Sequence, residues 1–459
     1  MEKIKVGLLP LYIKLYDDSN VDRTLVEEFY ALAQEQLGKQ GLEVVPAPVC
    51  RIKPEFLKAV KEFERQGAQA IITLHLAYSP SLESIDALTS TSLPIVVMDT
   101  TKDYSLSSKY SKAPIGSNHG IHGVMDMCNL LKRRGKKYSI VAGHFADGKL
   151  LKRTVDCVKA SVSANAMKGL KVGNFGTSFD GMGDFIIDAK TLKKRFGVEA
   201  IKFTDSEMMN AVKSITEEEI EKEIEYYKAN FVFPSEYDEN ALKLSVKASL
   251  ATRKLIEERG LDAFSANFLD MNTKNLGNMP FIEACLQMQK GVGYSGEGDV
   301  LTACFVGALL KTFEQVSFVE IFCPDWKEDR ILISHMGEMN FSVLRDKPVL
   351  SVGAFNYTDA KTSARAFGAF KDGKAVYCNV FRVENERFVM SVSDVDVSYV
   401  EGQVEKAVRG WIKPKTDIAT FLEKLSEKGA IHHGFMIYDV ELKAMKTFGE
   451  SLGMEVVEI

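Results

Sequence analysis

Histidine is scarce in this chain, with seven among 459 residues, and two of them, His75 and His335, close strand-like apolar runs where an imidazole is out of place. In Arg330-Ile331-Leu332-Ile333-Ser334-His335 a period of two puts Ile331, Ile333 and His335 in one row. Upstream, Val316 to Phe322 alternates as a strand, with Phe318, Glu320 and Phe322 on one face and Val319 and Ile321 on the other. Neither face suits a carboxylate. A buried, unpaired carboxylate protonates or finds a cation, so Glu320 needs a partner. Each residue alone also fits a satisfied polar group in a core; together they argue for one shared cation.

Two further segments carry donors. Gly291-Val292-Gly293-Tyr294-Ser295-Gly296-Glu297-Gly298-Asp299 contains a literal G-x-G-x-x-G. A dinucleotide site needs a strand before that motif, and residues 280–289 have helical spacing instead. The reading that remains is a flexible glycine loop presenting Glu297 and Asp299 ahead of a helix from Val300, as a ligand loop or a plain connection. His432 and His433 lie between a helix and a strand; adjacent in one loop, they suggest one ligand and one neighbour, or two surface histidines.

The elements that must hold these residues follow from periodicity. Residues 1–168 alternate short strands (4–9, 42–45, 70–74, 94–98, 138–142) with amphipathic helices (21–38, 54–66, 119–134, 148–165), the pattern of βαβ units around a parallel sheet. Residues 169–315 are richer in long helices, including one after Thr216 whose acidic first turn is read as a solvated face. Residues 316–459 turn β-rich and close with helices at 417–427 and 441–452 and a strand at 454–459. Three domains in an α/β class are expected.

Composition narrows the partners. A net charge of −5 offers no basic stripe for nucleic acid or anionic membranes, and 46% hydrophobic with 26% charged residues is ordinary for a soluble chain. Seven scattered cysteines without a C-x-x-C pair read as reduced core residues. With no apolar leader and no membrane-length run, a cytoplasmic protein acting on a small neutral or metal-bound ligand is expected.

Four blocks together, Gly293 to Asp299, Ser317 to Glu320, Ser334 to Glu338 and Gly429 to His433, resemble the L-arabinose isomerase family, related in fold to L-fucose isomerase. Weaker similarity runs through Leu11-Tyr12, Leu74-His75, Asn118 to Gly123, Val141 to His144 and Phe264 to Phe268. The resemblance implies an N-terminal Rossmann-like domain, a middle α/β domain and a C-terminal β-rich, barrel-like domain. It implies a Mn²⁺-like divalent ion held by Glu297, Glu320, His335 and His433, the two glutamates doubling as acid and base and His433 favoured over His432. It also implies a trimer or hexamer in which a neighbouring subunit offers Leu11, Tyr12, His119 and His122 to the substrate, while Phe179 and Phe268 line the pocket. Leu9 and His119 stand where the family tends to have glutamine, Val300 replaces a tryptophan, and Ile321 replaces an acidic residue, which leaves the identity of the sugar open.

The expected activity is thus metal-dependent aldose–ketose isomerisation of a free monosaccharide through an enediol or enediolate. A divalent cation stabilises charge on the sugar oxygens, and a positioned carboxylate adds roughly 10²–10⁴-fold. The rivals are a hydride-shift isomerase, another metal-dependent sugar enzyme such as an epimerase or aldolase, and a sugar-binding or sensing module without catalysis.

Overall fold

The computed structural model describes residues 2–18, 23–107, 115–400 and 407–459. They divide into two compact units, residues up to 165 with 446–451, and 166–445 with 452–459.

In the first unit, five parallel strands, β1 (Lys5–Leu11), β2 (Glu43–Pro46), β3 (Ala70–His75), β4 (Ile95–Asp99) and β5 (Ser139–Ala142), run in the order β2-β1-β3-β4-β5. Between and after them come α1 (Arg23–Lys39), α2 (Lys53–Arg65), α3 (Ser81–Ser90), α4 (Gly120–Arg133) and α5 (Leu150–Ala166). The alternation of strand side chains creates two apolar faces. Val6, Leu8, Ile72 and Val96 pack with Phe29 and Leu37 of α1 and Val155 and Val158 of α5. Leu9, Ile71, Ile95 and Val97 pack with Phe63 of α2, Leu88 of α3 and Met127 of α4. The sheet is parallel as expected, with helices on both faces, but its strand order is the flavodoxin-like 2-1-3-4-5, not the 3-2-1-4-5-6 of a Rossmann fold. Residues 21–22, the expected start of the first helix, lie outside the described residues.

The second unit opens with a four-stranded parallel sheet, β7-β6-β8-β9, from β6 (Lys171–Phe175), β7 (Glu199–Lys202), β8 (Ala263–Ala266) and β9 (Gly293–Gly296). Its helices are α6 (Ala189–Phe196), α7 (Asp205–Ser214), α8 (Glu217–Asn230), α9 (Glu239–Arg259), α10 (Phe281–Gln289) and α11 (Val300–Leu310). Thr216 caps α8 in a reciprocal capping box with Glu219. Every residue of α11 is buried, as its uniformly apolar surface requires.

The same unit continues through β10 (Val316–Asp325), β11 (Arg330–His335), β12 (Val349–Ala354), β13 (Thr362–Phe367), β14 (Gly373–Val383), β15 (Arg387–Ser398), β16 (Val408–Pro414), α12 (Ile418–Lys428), β17 (His433–Tyr438), the start of α13 (Leu442–Ser451), whose residues 446–451 belong to the first unit, and β18 (Glu455–Glu458). Six strands in the order β14-β17-β10-β11-β16-β15 close into a barrel through the β14–β15 pairing, and β18 adds in parallel to β15. Val319, Ile331, Ile333, Val395, Ile412, Phe421 and Met436 share its main apolar cluster. β12 and β13 form a separate hairpin.

Two local expectations change. Residues 293–296 are not a flexible loop but the buried strand β9, and the glycines serve close packing: a Cβ on Gly293 would lie 2.2 Å from the Gly307 nitrogen of α11. A register shift between Ile321 and Cys323 leaves Phe322 unpaired and half exposed instead of continuing the row of Phe318 and Glu320. None of the seven cysteines forms a disulfide, and only Cys323 is exposed. No helix among the described residues is long and apolar enough to cross a membrane.

Candidate metal centre

The site forms where three adjacent barrel strands meet the end of β9. Glu320 on β10 is the register partner of His433, which starts β17, and of Ser334 on β11; His335 is the last residue of β11. Antiparallel register partners carry their side chains on one face a few ångströms apart, so pairing alone brings Glu320 and His433 together. Glu297 follows β9 at φ +63, a left-handed conformation that is strained for a side-chain-bearing residue. Gly298 beside it permits the turn, because a Cβ there would meet the Thr177 carbonyl oxygen at 2.3 Å.

The four residues expected as ligands converge. His335 Nε2 lies 3.7 Å from Glu320 Oε2, and His433 Nε2 lies 3.4 Å from Glu297 Oε2. Two overlapping groups, Glu297-His432-His433 and Glu320-His335-His433, each keep their potential ligand atoms within 4.8 Å of one another. His432 joins the cluster as well. It precedes the first residue of β17, where strand alternation has not begun, and its Nε2 lies 3.7 Å from Glu297 Oε2 and 3.9 Å from Glu320 Oε1.

Each histidine is held from behind by a carboxylate. His335 Nδ1 bonds Glu338 Oε2 at 2.5 Å, His433 Nδ1 bonds Asp299 Oδ2 at 3.0 Å, and His432 Nδ1 bonds Asp184 Oδ2 at 2.6 Å. An ionised carboxylate only accepts, so the proton sits on Nδ1 and Nε2 turns to the centre of the cluster. Aromatic rings complete the packing: Phe185 stacks on His433 at 5.0 Å, and Phe318 meets both His335 and His433 edge to face. Sequence reasoning missed Asp184 and Glu338. Glu338 had a signal in its i, i+3 spacing from His335, whereas Asp184 lies 248 residues from His432 and had none.

The donor set fits a divalent cation on chemical grounds. Glu297 Oε2, His432 Nε2 and His433 Nε2 are buried and have no hydrogen-bond partner, an arrangement that is costly unless something occupies the space between them. The electrostatics are correspondingly strained. Burial opposes the charge on Glu297, but His432, His433 and His335 outweigh it and hold the carboxyl well below its usual range. Burial dominates at Glu320 and pushes it up despite the same histidines. Burial would depress the imidazoles, yet Glu338, Glu320 and Glu297 lift His335 to about 9, and Asp184 with Glu297 lifts His432 to about 10.

Phe179 donates its backbone N–H to the Glu297 carbonyl at 2.9 Å, and its ring lies 5.7 Å from that of Phe268. The other four expected substrate contacts are in the first unit. His119 and His122 line a surface cavity there with Tyr16, Tyr78, Met125 and Asp126. Leu11 and Tyr12 are 0% and 2% exposed and offer a ligand almost no surface.

Residues 187–315 match the L-arabinose isomerase central domain, and residues 315–455 match the L-arabinose isomerase C-terminal domain. The L-arabinose isomerase of Bacillus subtilis (strain 168) is 22% identical over 430 residues, covering 91% of this chain and 86% of that protein. That of Shouchella clausii (strain KSM-K16) is 22% identical over 437 residues, covering 94% and 89%. That of Escherichia coli O7:K1 is 22% identical over 413 residues, covering 86% and 82%.

Proposed function

Because this chain belongs to the L-arabinose isomerase family, as a divergent member, we propose that it is an aldose–ketose isomerase, an intramolecular oxidoreductase that moves a sugar carbonyl between C1 and C2. The observation that carries the reading is the convergence of two carboxylates with three imidazoles whose Nδ1 atoms are each engaged by a further carboxylate.

Glu297, Glu320, His335 and His433 would hold a divalent cation, with Mn²⁺ the expected occupant and His432 standing against the same pair of glutamates. Such a cation supplies Lewis-acid stabilisation of negative charge on the sugar oxygens. The rest falls to side chains. One carboxylate of the Glu297–Glu320 pair takes the proton from C2 of the open-chain aldose and delivers it to C1. The other exchanges the hydroxyl protons, giving one to O1 and accepting one from O2, so protons balance and a ketose results. Phe179 and Phe268 present aromatic surface suited to the apolar face of a sugar and to keeping water from the enediol.

The substrate is an aldose whose identity the departures at Leu9, His119, Val300 and Ile321 leave open. In the expected homo-oligomer, a trimer or hexamer in the cytoplasm, His119 and His122 of a neighbouring copy would complete the substrate pocket. The test is a panel of aldopentoses and aldohexoses with added Mn²⁺, with and without chelator, in deuterated water. Ketose formation that chelator abolishes, with solvent deuterium at C1, is expected. Retention of the substrate hydrogen would indicate a hydride shift, and sugar binding without turnover would identify a sensor.

A further inference from the structure

We infer that Glu338 is a positioning residue for the cation centre, braced by Tyr294, and that the pair fixes His335 as an Nε2 donor. This rests on the reading of the cluster as a divalent-cation site.

Glu338 is 1% exposed, and both of its oxygens are used. Oε2 accepts from His335 Nδ1 at 2.5 Å, and Oε1 accepts from the Tyr294 hydroxyl at 2.9 Å. Tyr294 is itself fully buried, so the three side chains form one line with no solvent in it. The chain can make this line because Gly337, at φ +155, turns it back beneath the end of β11. Strand β9 supplies the other half of the device. Tyr294 and Gly296 are alternate residues on one face of that strand; the first reaches Glu338, and the second faces the open edge of the ring. A Cβ on Gly296 would come within 3.0 Å of His335 Cε1 and 3.2 Å of Nε2, so the missing side chain leaves Nε2 uncovered. Burying a carboxylate is costly, and structure alone does not require one here. Arg365, half-buried nearby, feels the charge of Glu338 but forms no ion pair with any acid among the described residues. The remaining role for the charge is on His335, where a carboxylate on the outer nitrogen raises the ligand strength of the inner one.

The experiment uses the full-length protein and Mn²⁺ itself. Dissociation constants from chelator competition are measured for the parent, Glu338→Ala, Glu338→Gln and Tyr294→Phe, alongside ¹⁵N histidine spectra of the metal-free proteins recorded at a pH above the value of about 9 to which His335 is lifted, where its ring is neutral. Glu338→Ala is expected to weaken Mn²⁺ binding by roughly 10- to 100-fold and to move the His335 proton off Nδ1. Glu338→Gln keeps an acceptor without the charge, so it should hold the tautomer and still lose affinity. Tyr294→Phe should lose less. Activity at limiting Mn²⁺ should fall more than activity at saturating Mn²⁺. If Glu338→Ala does not fold, the Gln and Phe variants decide. Affinities within about threefold of the parent in Glu338→Gln, with an unchanged tautomer in every folded variant, overturn the inference. A parent that binds no Mn²⁺ sinks the functional reading instead, while the metal-free spectra still judge the tautomer.

Discussion

Glu320 and His433 are direct register partners across β10 and β17, so the hydrogen-bond ladder of the barrel itself sets a carboxylate beside an imidazole. Their separation in sequence is large, but the pairing is as fixed as any other rung. Sliding either strand by one residue would turn that strand's member of the pair to the opposite face and separate the two.

The proton-transfer role of the glutamates predicts that Glu297→Gln and Glu320→Gln each lose roughly 10²–10⁴-fold or more in turnover while keeping the parent circular dichroism. Ketose formation at saturating Mn²⁺ is the measurement. Near-normal turnover in either variant would end the two-carboxylate mechanism.

Removing the cation should cost stability as well as activity. A ligand present at a hundred times its dissociation constant stabilises the folded state by about 2.7 kcal/mol, so chelation should lower the melting temperature and added Mn²⁺ should restore it. A melting curve indifferent to chelator would mean that the cluster does not bind the ion in the folded protein.

His75 predicts an acid-labile first unit. It is buried at the end of β3, neither ring nitrogen has a partner, and burial pushes its pKa down to about 3. The unfolded imidazole titrates near 6.5. Between those values the unfolded chain binds more protons, so the stability from this group is complete above about pH 6.5. It falls as the pH drops toward 3, by up to about 1.4 kcal/mol per pH unit. Urea unfolding at pH 7 and pH 5 should show this slope in the parent and a shallower one in His75→Leu.

Two glycines should respond in opposite directions. Gly293→Ala drives a Cβ into the backbone of α11 at 2.2–2.4 Å and should destabilise by several kcal/mol or abolish folding. Gly38→Ala, in α1 with nothing within 4 Å of the new carbon, should stabilise by about 0.5–1 kcal/mol. Thermal melts of the two variants distinguish a packing role for Gly293 from a flexible loop, which would tolerate alanine.

Much of this was legible in the sequence wherever side-chain periodicity carries the signal. In the βαβ run from Lys5 to Ala166 the strands and four of the five helices follow their apolar spacing within a residue or two, α3 (Ser81–Ser90) being absent from the expected set, and Glu320 and His335 announced themselves by their surroundings. What escaped was backbone geometry. β9 looks like a loop because Gly293 and Gly296 contribute no apolar pattern, yet its burial comes from main chain packed on main chain. The inward turn of His432 depends on Asp184, a distant residue in a loop between β6 and α6, which no local pattern reveals.

The donors come from two separately built layers, Glu297 from the end of the parallel sheet and Glu320, His335 and His433 from the barrel. A cation held by all four is therefore a removable rivet through both. It ties together chain segments far apart in sequence much as a disulfide would, but it can be withdrawn by a chelator under conditions that leave every covalent bond intact. The parallel sheet contributes Glu297 alone, so binding through all four donors reports that the two layers have docked correctly.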